Sequence, residues 1–595
     1  MKHEPFHAEW KRRLPALADR LFPPFLILVT GFLCYSSALY GSFQFDDFSS
    51  IVENQAIRNP WHIGNIFLFA KTRFLTYLTF AVQYHLHGLN PFFFLLVNLI
   101  IHLCAAITLY RLIRLLFTTP EIRNNPLASQ ERNIALAASL IFVSHPIETQ
   151  AVAYIVQRAT SMASLFYLLS LALFVQARIL YDRQDPGHLL AYAFALILAL
   201  LSMFTKEISL TLPISVLLTE YFFFSPRPGL ILRRIRYLWP MLLTLFVIPL
   251  TYFLTMRGAI AQIGLAAETR TISRMDYLLT QFNVIRTYLR LLFVPVHQSV
   301  DYDYPLVRHF FEPGTFLSFL LIAALIALAL ILFRKYRLLS FGIIWFFLTL
   351  VVESSIFPIR DVIFEHRIYL PSIGIFLSVT LFLFHLLKEK PRLTFALFAV
   401  LISATTFAGI NRTILWREQV LLWHDAVSRQ QITARTLNNL GVGYLRGGSI
   451  ESAIRHYDNA LSLFPSHPRM YFNRAMALHM RGSFEKAIED YTESIRLYPK
   501  YHRTYLYRAL AHVAMGWKDK ALTDLDRSIE LFPGEPVAFY NRSCILFEYS
   551  RFEDALRDVD RAIQLEEGNP LYLRHREMIL RRLKRPDLQK NGTVK

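Results

Sequence analysis

The sequence predicts an all-α membrane protein in which a polytopic helical domain precedes a solenoid of helical repeats. Apolar residues make up 54% and aromatic residues 14% of the chain, and the mean hydropathy is +0.34. These values are too high for a soluble chain of this length. Apolar runs of membrane length recur up to about residue 410, and beyond about Ala434 the composition becomes polar and repetitive. The N-terminal part is therefore expected to lie in the membrane and the C-terminal part in water.

The apolar runs predict about eleven spans, judged against the roughly twenty helical residues that cross a hydrocarbon core of about 30 Å. These runs are 23–40, 92–117, 134–143, 160–181, 189–204, 208–224, 237–256, 316–333, 338–357, 371–387 and 393–410. Residues 74–85 are short and polar, and we expect them to lie in the interface. Residues 277–296 are expected there too, because a crossing at this point would break the positive-inside rule for the loops that follow.

The formal charge of +19 indicates topology rather than nucleic-acid binding, since much of the surplus lies in short loops between apolar runs. The basic N-terminus and the loop with Arg227, Arg233, Arg234 and Arg236 are expected in the cytoplasm. An odd number of spans then places the C-terminus outside, periplasmic or lumenal, and a bacterial cytoplasmic membrane is favoured over an endoplasmic reticulum. The three cysteines predict neither a disulfide framework nor a metal site.

A strict 34-residue period indicates tetratricopeptide repeats in the C-terminal part. The repeated positions are Pro465, Pro499 and Pro533; Gly448, Gly482 and Gly516; and Ala453, Ala487, Ala521 and Ala555. The predicted domains are a cytoplasmic N-terminus (1–22), a membrane domain (23–411), a connecting helix (412–433), four repeats (434–567), and a capping helix with a tail (568–595). The concave face of such a solenoid suits an extended peptide or protein partner, and pure scaffolding is the alternative.

Two adjacent carboxylates, Asp46 and Asp47, follow the first span by only a few residues. Charge is costly in hydrocarbon, so they must lie at the interface or in a wet cavity, either as helix caps or as a reactive group. The other ionisable candidates in the predicted outer loops are Arg73, His145, Glu148, Arg158, Lys206, Glu207, Glu365 and Arg367. Acids beside bases suit transfer from a phosphate-linked lipid, because cations hold the phosphate and a carboxylate deprotonates an attacking hydroxyl.

These residues resemble a known family, the transmembrane and tetratricopeptide-repeat-containing O-mannosyltransferases of the GT-C fold. The matching motifs are Asp46-Asp47 with Ser50-Ile51 and Asn54; His145-Pro146 with Glu148 and Arg158; Lys206-Glu207; and Glu365, Arg367 and Tyr369-Leu370-Pro371-Ser372. The resemblance covers almost the whole chain.

The resemblance implies a polyprenyl- or dolichyl-phosphate donor, mannose as the sugar, and inverting transfer to an acceptor hydroxyl on the outer face. Asp46 or Asp47 is the expected base, with a slight preference for Asp47, and the remaining candidates would bind substrate or lipid phosphate. His366 has no expected role. Some GT-C enzymes use a divalent ion, but two adjacent carboxylates are too few ligands for a dedicated site, and no metal is predicted.

Three other functions would leave different signs. A lipid-linked oligosaccharide ligase or polymerase should rely on a long outer loop rich in Arg and His, whereas the outer loops here are modest. A non-catalytic membrane scaffold would tolerate substitution of Asp46 and Asp47 but not of the repeats. A transporter would carry its charges in the middle of its spans rather than at one face.

Overall fold

A computed structural model describes residues 21–225, 229, 234–255, 272–359, 361–429 and 432–584, and within these ranges all regular elements are helical. The chain divides into two compact units, Met1–Asp425 and Ala426–Lys595. Most of the predicted cytoplasmic N-terminus, Arg227 and Arg233 of the predicted basic loop, and the tail after residue 584 lie outside the described residues. The predicted class, an all-α membrane domain followed by a tetratricopeptide-repeat solenoid, is confirmed.

Among the described residues of the first unit, seven helices are long and apolar enough to cross a membrane, and the chain is a multi-pass membrane protein. These helices are Leu21–Tyr40, Pro91–Phe117, Ile155–Asp182, Tyr237–Thr255, Pro313–Leu332, Glu365–Leu386 and Pro391–Leu415. Three of them begin with proline, whose missing N–H costs nothing in the first helical turn.

The other four predicted spans form shorter helices, Glu131–Ser144, Gly187–Met203, Leu212–Phe223 and Arg337–Leu350. Tight turns lie at the ends of two of them. Glu131–Ser144 is followed by the 3₁₀ turn Pro146–Glu148, and Leu212–Phe223 is preceded by the 3₁₀ turn Glu207–Thr211. The two segments expected in the interface are helical, at Phe74–His87 and Arg274–Phe293. The total of eleven crossings stays a prediction.

Two glycines let a pair of membrane helices touch backbone to backbone. A Cβ at Gly374 would stand 2.2 Å from the carbonyl oxygen of Gly342, and a Cβ at Gly342 would stand 2.4 Å from that of Gly374. Helices Arg337–Leu350 and Tyr369–Leu386 therefore approach each other more closely at this point than any larger residue allows. Small residues are the usual means of such contact inside a membrane.

The second unit consists of helix pairs whose starts are 34 residues apart, with a final helix after the fourth pair. Its helices are Ala434–Arg446, Ile450–Leu463, Pro468–Met480, Phe484–Leu497, His502–Ala514, Lys518–Leu531, Pro536–Glu548, Phe552–Leu565 and Pro570–Leu583. Gly448, Gly482 and Gly516 each have φ between +75° and +85° in the turn within a pair, a conformation that favours glycine.

An arginine–aspartate ladder joins successive repeats. Arg542 makes two 2.7 Å hydrogen bonds to Asp558 of its own pair and a third, also 2.7 Å, to Asp526 of the preceding pair. Arg474 and Arg508 make the same bidentate contact with their own aspartates. Each bidentate pair fixes the orientation of the two helices within its own repeat, and the single bonds from Arg474 to Asp458 and from Arg542 to Asp526 link neighbouring repeats.

Candidate functional site

The adjacent carboxylates of the first loop have different surroundings. Asp47 is fully buried, and its two oxygens accept backbone N–H bonds from Gln44 at 2.9 Å and from Val156 at 2.8 Å. Asp46 is exposed, and its backbone N–H donates to the Tyr154 hydroxyl at 2.9 Å. The buried Asp47 side chain therefore fixes the loop through two hydrogen bonds, whereas Asp46 lies at the protein surface.

Burial raises the pKa of Asp47 to about 8, although the N–H bonds from Gln44 and Val156 lower it; the charge of Asp46 raises it further. Near neutral pH the Asp47 carboxyl is thus largely protonated. A protonated, buried acid with both oxygens occupied is badly placed to accept a proton from an incoming hydroxyl.

The acid loop packs on the segment that follows the last membrane helix. The side-chain amide of Gln419 donates to the Phe43 carbonyl at 3.0 Å, and the ring of Phe45 lies 5.7 Å from that of Trp423. Phe45 also has a φ of +39°, which is strained for a residue with a side chain. The strained residue lies immediately before the two acids, of which Asp46 is exposed and Asp47 is buried.

The segment from Tyr154 to Thr160 links the acid loop to a buried lysine. The Thr160 hydroxyl donates to the Gln157 side chain at 2.9 Å and accepts from the Lys206 ammonium group at 2.9 Å. That ammonium group also forms a 2.8 Å ion pair with Glu353. One short stretch of chain thus contacts Asp46 and Asp47 at its start and Lys206 at its end.

Further cations surround Lys206. Burial lowers its pKa, Glu353 opposes the shift, and the charge of Arg73 adds to it. Arg73 is exposed and forms a 3.0 Å ion pair with Glu207. Burial alone would raise the pKa of Glu207, but the Arg73 charge and hydrogen bonds from Arg73 and Thr72 lower it to about 2.

The late motif reaches the same neighbourhood through His366. The imidazole of His366 lies within electrostatic reach of Lys206, Arg73 and Arg367, and its Nδ1 is 3.0 Å from the Gln150 side-chain oxygen. The Arg367 guanidinium donates to the carbonyls of Val362 and Asp361. We call Arg73, Lys206, His366 and Arg367 the basic cluster. The predicted residues Lys206, Glu207, Arg73 and Arg367 are thus close together.

The predicted Arg158 lies near the acids but is held by neutral groups. Its guanidinium donates to the Asn98 side chain at 2.7 Å, the Phe94 carbonyl at 2.8 Å and the Thr79 hydroxyl at 3.1 Å. The side chain is fully buried and lies over the Phe80 ring. With three of its five N–H donors bonded to neutral groups, Arg158 ties three helical segments together.

Glu365 is fixed by a separate network. Its carboxylate accepts hydrogen bonds from the Tyr302 hydroxyl at 2.6 Å and the Ser299 N–H at 2.9 Å. Arg412 lies 3.7 Å from it and forms a 3.0 Å ion pair with Asp425. This carboxylate connects the late loop to the end of the first unit.

His145 and Glu148 lie deeper still. Burial lowers the pKa of His145 to about 3, so its ring is neutral, and its Nδ1 accepts from the Ile147 N–H. Burial raises the pKa of Glu148 well above its usual value, with the nearby Ser372 hydroxyl opposing the shift. Among the described residues neither Glu148 oxygen has a hydrogen-bond partner of ordinary geometry.

Three polar residues of this region were missed from the sequence. Glu353 falls inside the predicted span 338–357, but the helix ends at Leu350 and leaves it in the turns beyond. Arg412 belongs to an Asn-Arg-Thr triplet that resembles a glycosylation site, and Tyr154 lies in an otherwise apolar stretch. An acid at the very end of an apolar run was the available signal for Glu353.

The donor set does not fit a bound divalent cation. Both oxygens of Asp47 accept backbone N–H bonds, and Asp46 is the exposed acid of the pair. In the part of the chain that the structure describes, no group of three or more His, Cys, Asp or Glu residues is arranged to hold a metal. Hard cations need six or more oxygen ligands, counting water.

The chain is similar to several protein O-mannosyl-transferases. Tmtc3 of Drosophila melanogaster is 26% identical over 73% of this chain and 54% of its own length. TMTC4 of Mus musculus is 25% identical over 75% of this chain and 67% of its own length. Human TMTC1 is 34% identical over 23% of this chain and 16% of its own length. The chain spans about half to two thirds of the relatives that it matches over most of its length.

A family profile described as tetratricopeptide repeat matches residues 438–502. A solved tetratricopeptide-repeat protein of Thermus thermophilus superposes with a TM-score of 0.25 at 19% identity, over 32% of this chain and 96% of that one. The predicted resemblance to transmembrane and tetratricopeptide-repeat-containing O-mannosyltransferases is confirmed by the relatives and the repeat profile together.

Proposed function

We propose that this chain is a membrane glycosyltransferase that moves mannose from a polyprenyl- or dolichyl-phosphate donor to Ser or Thr hydroxyls of proteins on the outer face. The observation that carries the proposal is that one segment, Tyr154 to Thr160, contacts both the acid loop and Lys206 of the basic cluster. The names of its relatives, protein O-mannosyl-transferases, support the sugar and the acceptor class. The GT-C fold is part of the same proposal.

We assign the base to Asp46. Its carboxylate takes the hydroxyl proton of the acceptor while the acceptor oxygen bonds to the anomeric carbon of the donor. The bond from that carbon to the phosphate oxygen breaks, and the lipid phosphate leaves with the electron pair. Attack from the side opposite the phosphate inverts the anomeric centre. Asp47 supports this step by fixing the loop through Gln44 and Val156 rather than by taking the proton.

The basic cluster would hold the phosphate of the donor before and after transfer. The charge of Arg73 is partly neutralised by its ion pair with Glu207, and that of Lys206 by its ion pair with Glu353. A partly neutralised cluster suits this task, because the leaving lipid phosphate must also be released. Arg367 donates hydrogen bonds to carbonyl oxygens and lies within electrostatic reach of the Glu353 and Asp361 carboxylates.

The repeats would present the acceptor protein. Their pairs offer a continuous concave surface of the kind that binds extended peptides. The connecting segment before them carries Trp416, Gln419 and Trp423, which contact the acid loop or its neighbour Tyr154. Acceptor recruitment and base positioning thus lie next to each other along the chain.

Mannose transfer by single-residue variants tests the assignment. Membranes with the full chain at matched abundance receive radiolabelled polyprenyl-phosphate mannose and envelope proteins. Asp46→Asn should lower transfer about 10²- to 10⁴-fold at unchanged thermal stability, because general-base assistance is worth that much. Asp47→Asn should lower stability and reduce transfer less.

Asp303→Asn, an exposed acid of another outer loop, is the matched control and should transfer at the wild-type rate. If Asp46→Asn transfers mannose at the wild-type rate, Asp46 is not the base. Absence of wild-type transfer with every lipid-phosphate sugar tried would contradict the glycosyltransferase assignment itself.

A further inference from the structure

A cavity lined by arginines and apolar side chains lies at the opposite ends of two helices that build the candidate site. It has a volume of about 500 Å³. Helix Pro91–Phe117 carries Asn98, next to Arg158, near its start, and the cavity lies at its other end. Helix Arg158–Asp182 likewise begins at the candidate site and ends at the cavity.

Two helix faces of equal spacing form the walls. The first helix and the residue after it supply Arg111, Arg114, Leu115 and Thr118, and the second helix and the residue after it supply Gln176, Ile179, Leu180 and Arg183. Each set has the spacing i, i+3, i+4, i+7, which puts its members on one side of a helix. The cavity is therefore an open cleft between the two stripes.

The charges in the cleft are unbalanced. Arg114 donates to Glu131 at 2.8 Å, and this ion pair closes one side of the cleft. Arg111 and Arg183 have no acidic partner among the residues that the structure describes, and both are exposed. Three guanidinium groups against one carboxylate leave a surplus of two positive charges.

Apolar side chains complete the cleft. Leu115, Ile179 and Leu180 line it beside the arginines, on helices that are long and apolar enough to span a membrane. A ligand that fits must offer an anionic group to the arginines and hydrocarbon to these side chains. Arginine recognises phosphate through paired N–H donors, and basic pockets between membrane helices bind anionic lipid head groups.

We propose that this cleft, formed by Arg111, Arg114 and Arg183 with Leu115, Ile179 and Leu180, binds the phosphate head group of an anionic membrane lipid in the leaflet opposite the acid loop. The lipid sits on the two helices that carry Asn98 and Arg158 at their other ends. The inference does not depend on glycosyl transfer.

Direct lipid binding to the purified full-length chain tests the site. The chain in mild detergent is titrated with fluorescent phosphatidylglycerol, and with phosphatidylcholine of the same acyl chains as the neutral comparison. Wild type should bind phosphatidylglycerol saturably and more tightly than phosphatidylcholine. Each arginine near an anionic head group is worth about fivefold in affinity, so the double variant Arg111→Gln, Arg183→Gln should bind about 25-fold more weakly.

Arg123→Gln is the control, because Arg123 is an exposed arginine of the same connection that does not line the cleft. Equal losses in this control and in the double variant would mean diffuse charge attraction and would overturn the proposal. Displacement of the lipid by inorganic phosphate at equal concentration would assign the site to free phosphate instead. If the double variant misfolds, the single variant Arg183→Gln, just past the helix end, replaces it and should bind phosphatidylglycerol about fivefold more weakly than wild type.

Discussion

At the scale of single residues, the acid pair shows how neighbours in sequence acquire different chemistry. Asp46 and Asp47 are the same residue type at adjacent positions, and the slight preference at the level of sequence was for Asp47 as the base. The difference arises from a turn with a strained Phe45 and from Val156, more than one hundred positions away. Which of two adjacent carboxyls is buried depends on such distant contacts, so the sequence could identify the pair but not its division of roles.

Glu148 makes the stability of the membrane domain depend on pH. Burial keeps its proton in the folded protein above pH 4.5, where an unfolded chain has released it. The folded state then binds more protons, and the free energy of unfolding falls as pH rises, by up to about 1.4 kcal/mol per pH unit. Glu148→Gln should reduce this fall between pH 5 and pH 8, as measured by thermal unfolding of the purified chain at both values.

Glu207→Gln is the comparison, because the pKa of Glu207 is lowered whereas that of Glu148 is raised. Its carboxylate, with a pKa near 2, is ionised across this range and pairs with Arg73. Its substitution should therefore cost about 1 kcal/mol at either pH without changing the slope. An unchanged slope in Glu148→Gln as well would mean that Glu148 is ionised in the folded protein.

At the scale of elements, several candidate site residues lie in turns next to the shorter helices. His145 precedes and Glu148 ends the turn after Glu131–Ser144, Glu207 begins a 3₁₀ turn, and Glu353 follows a helix that stops before the apolar run does. Hydropathy predicts how far an apolar run extends but not where hydrogen bonding changes within it. The apolar stretches were thus predictable, and the turns that expose polar groups at their ends were not.

The connecting helix Gln419–Arg429 should control the position of the acid loop. Trp423 is buried against Phe45, so Trp423→Ala should lower the unfolding free energy by about 3 to 5 kcal/mol and let Asp46 move. A displacement of about 1 Å costs up to about 10²-fold in rate. Mannose transfer should therefore fall about 10- to 100-fold in membranes where the variant is still folded.

Two further variants isolate this effect. Trp423→Phe retains a ring on Phe45 and should keep transfer within about threefold of wild type. Trp239→Ala removes a tryptophan that is 52% exposed in the membrane domain and should change transfer little. Equal transfer in Trp423→Ala and Trp239→Ala would show that the loop holds its position without the connecting helix.

At the scale of the whole molecule, the two units were predictable to different depths. The repeats follow from a local period, because each helix pair contacts its sequence neighbours, and their starts could be read from Pro, Gly and Ala positions. The membrane unit depends on contacts such as Asn98 with Arg158 and Gln150 with His366, which join segments 60 and 216 positions apart. Periodicity carries no information about such pairs.

The predicted topology places the acid loop and the repeats on one side of the membrane and the basic loops on the other. A cysteine-free chain (Cys34→Ala, Cys104→Ala, Cys544→Ser) carrying single cysteines in sealed vesicles tests this with a membrane-impermeant maleimide. Ser49→Cys and Glu553→Cys should react from one side, and Asp185→Cys and Lys388→Cys from the other. All four positions are exposed.

The comparison of Ser49→Cys with Asp185→Cys is the most demanding. Three predicted crossings separate the two positions, and one of them is Glu131–Ser144, a helix of only 14 residues that rises about 21 Å. Because it is mostly buried and packs against helices Pro91–Phe117, Tyr369–Leu386 and Pro391–Leu415, we expect it to cross where the protein rather than lipid surrounds it. Labelling of both cysteines from the same side would contradict the predicted topology.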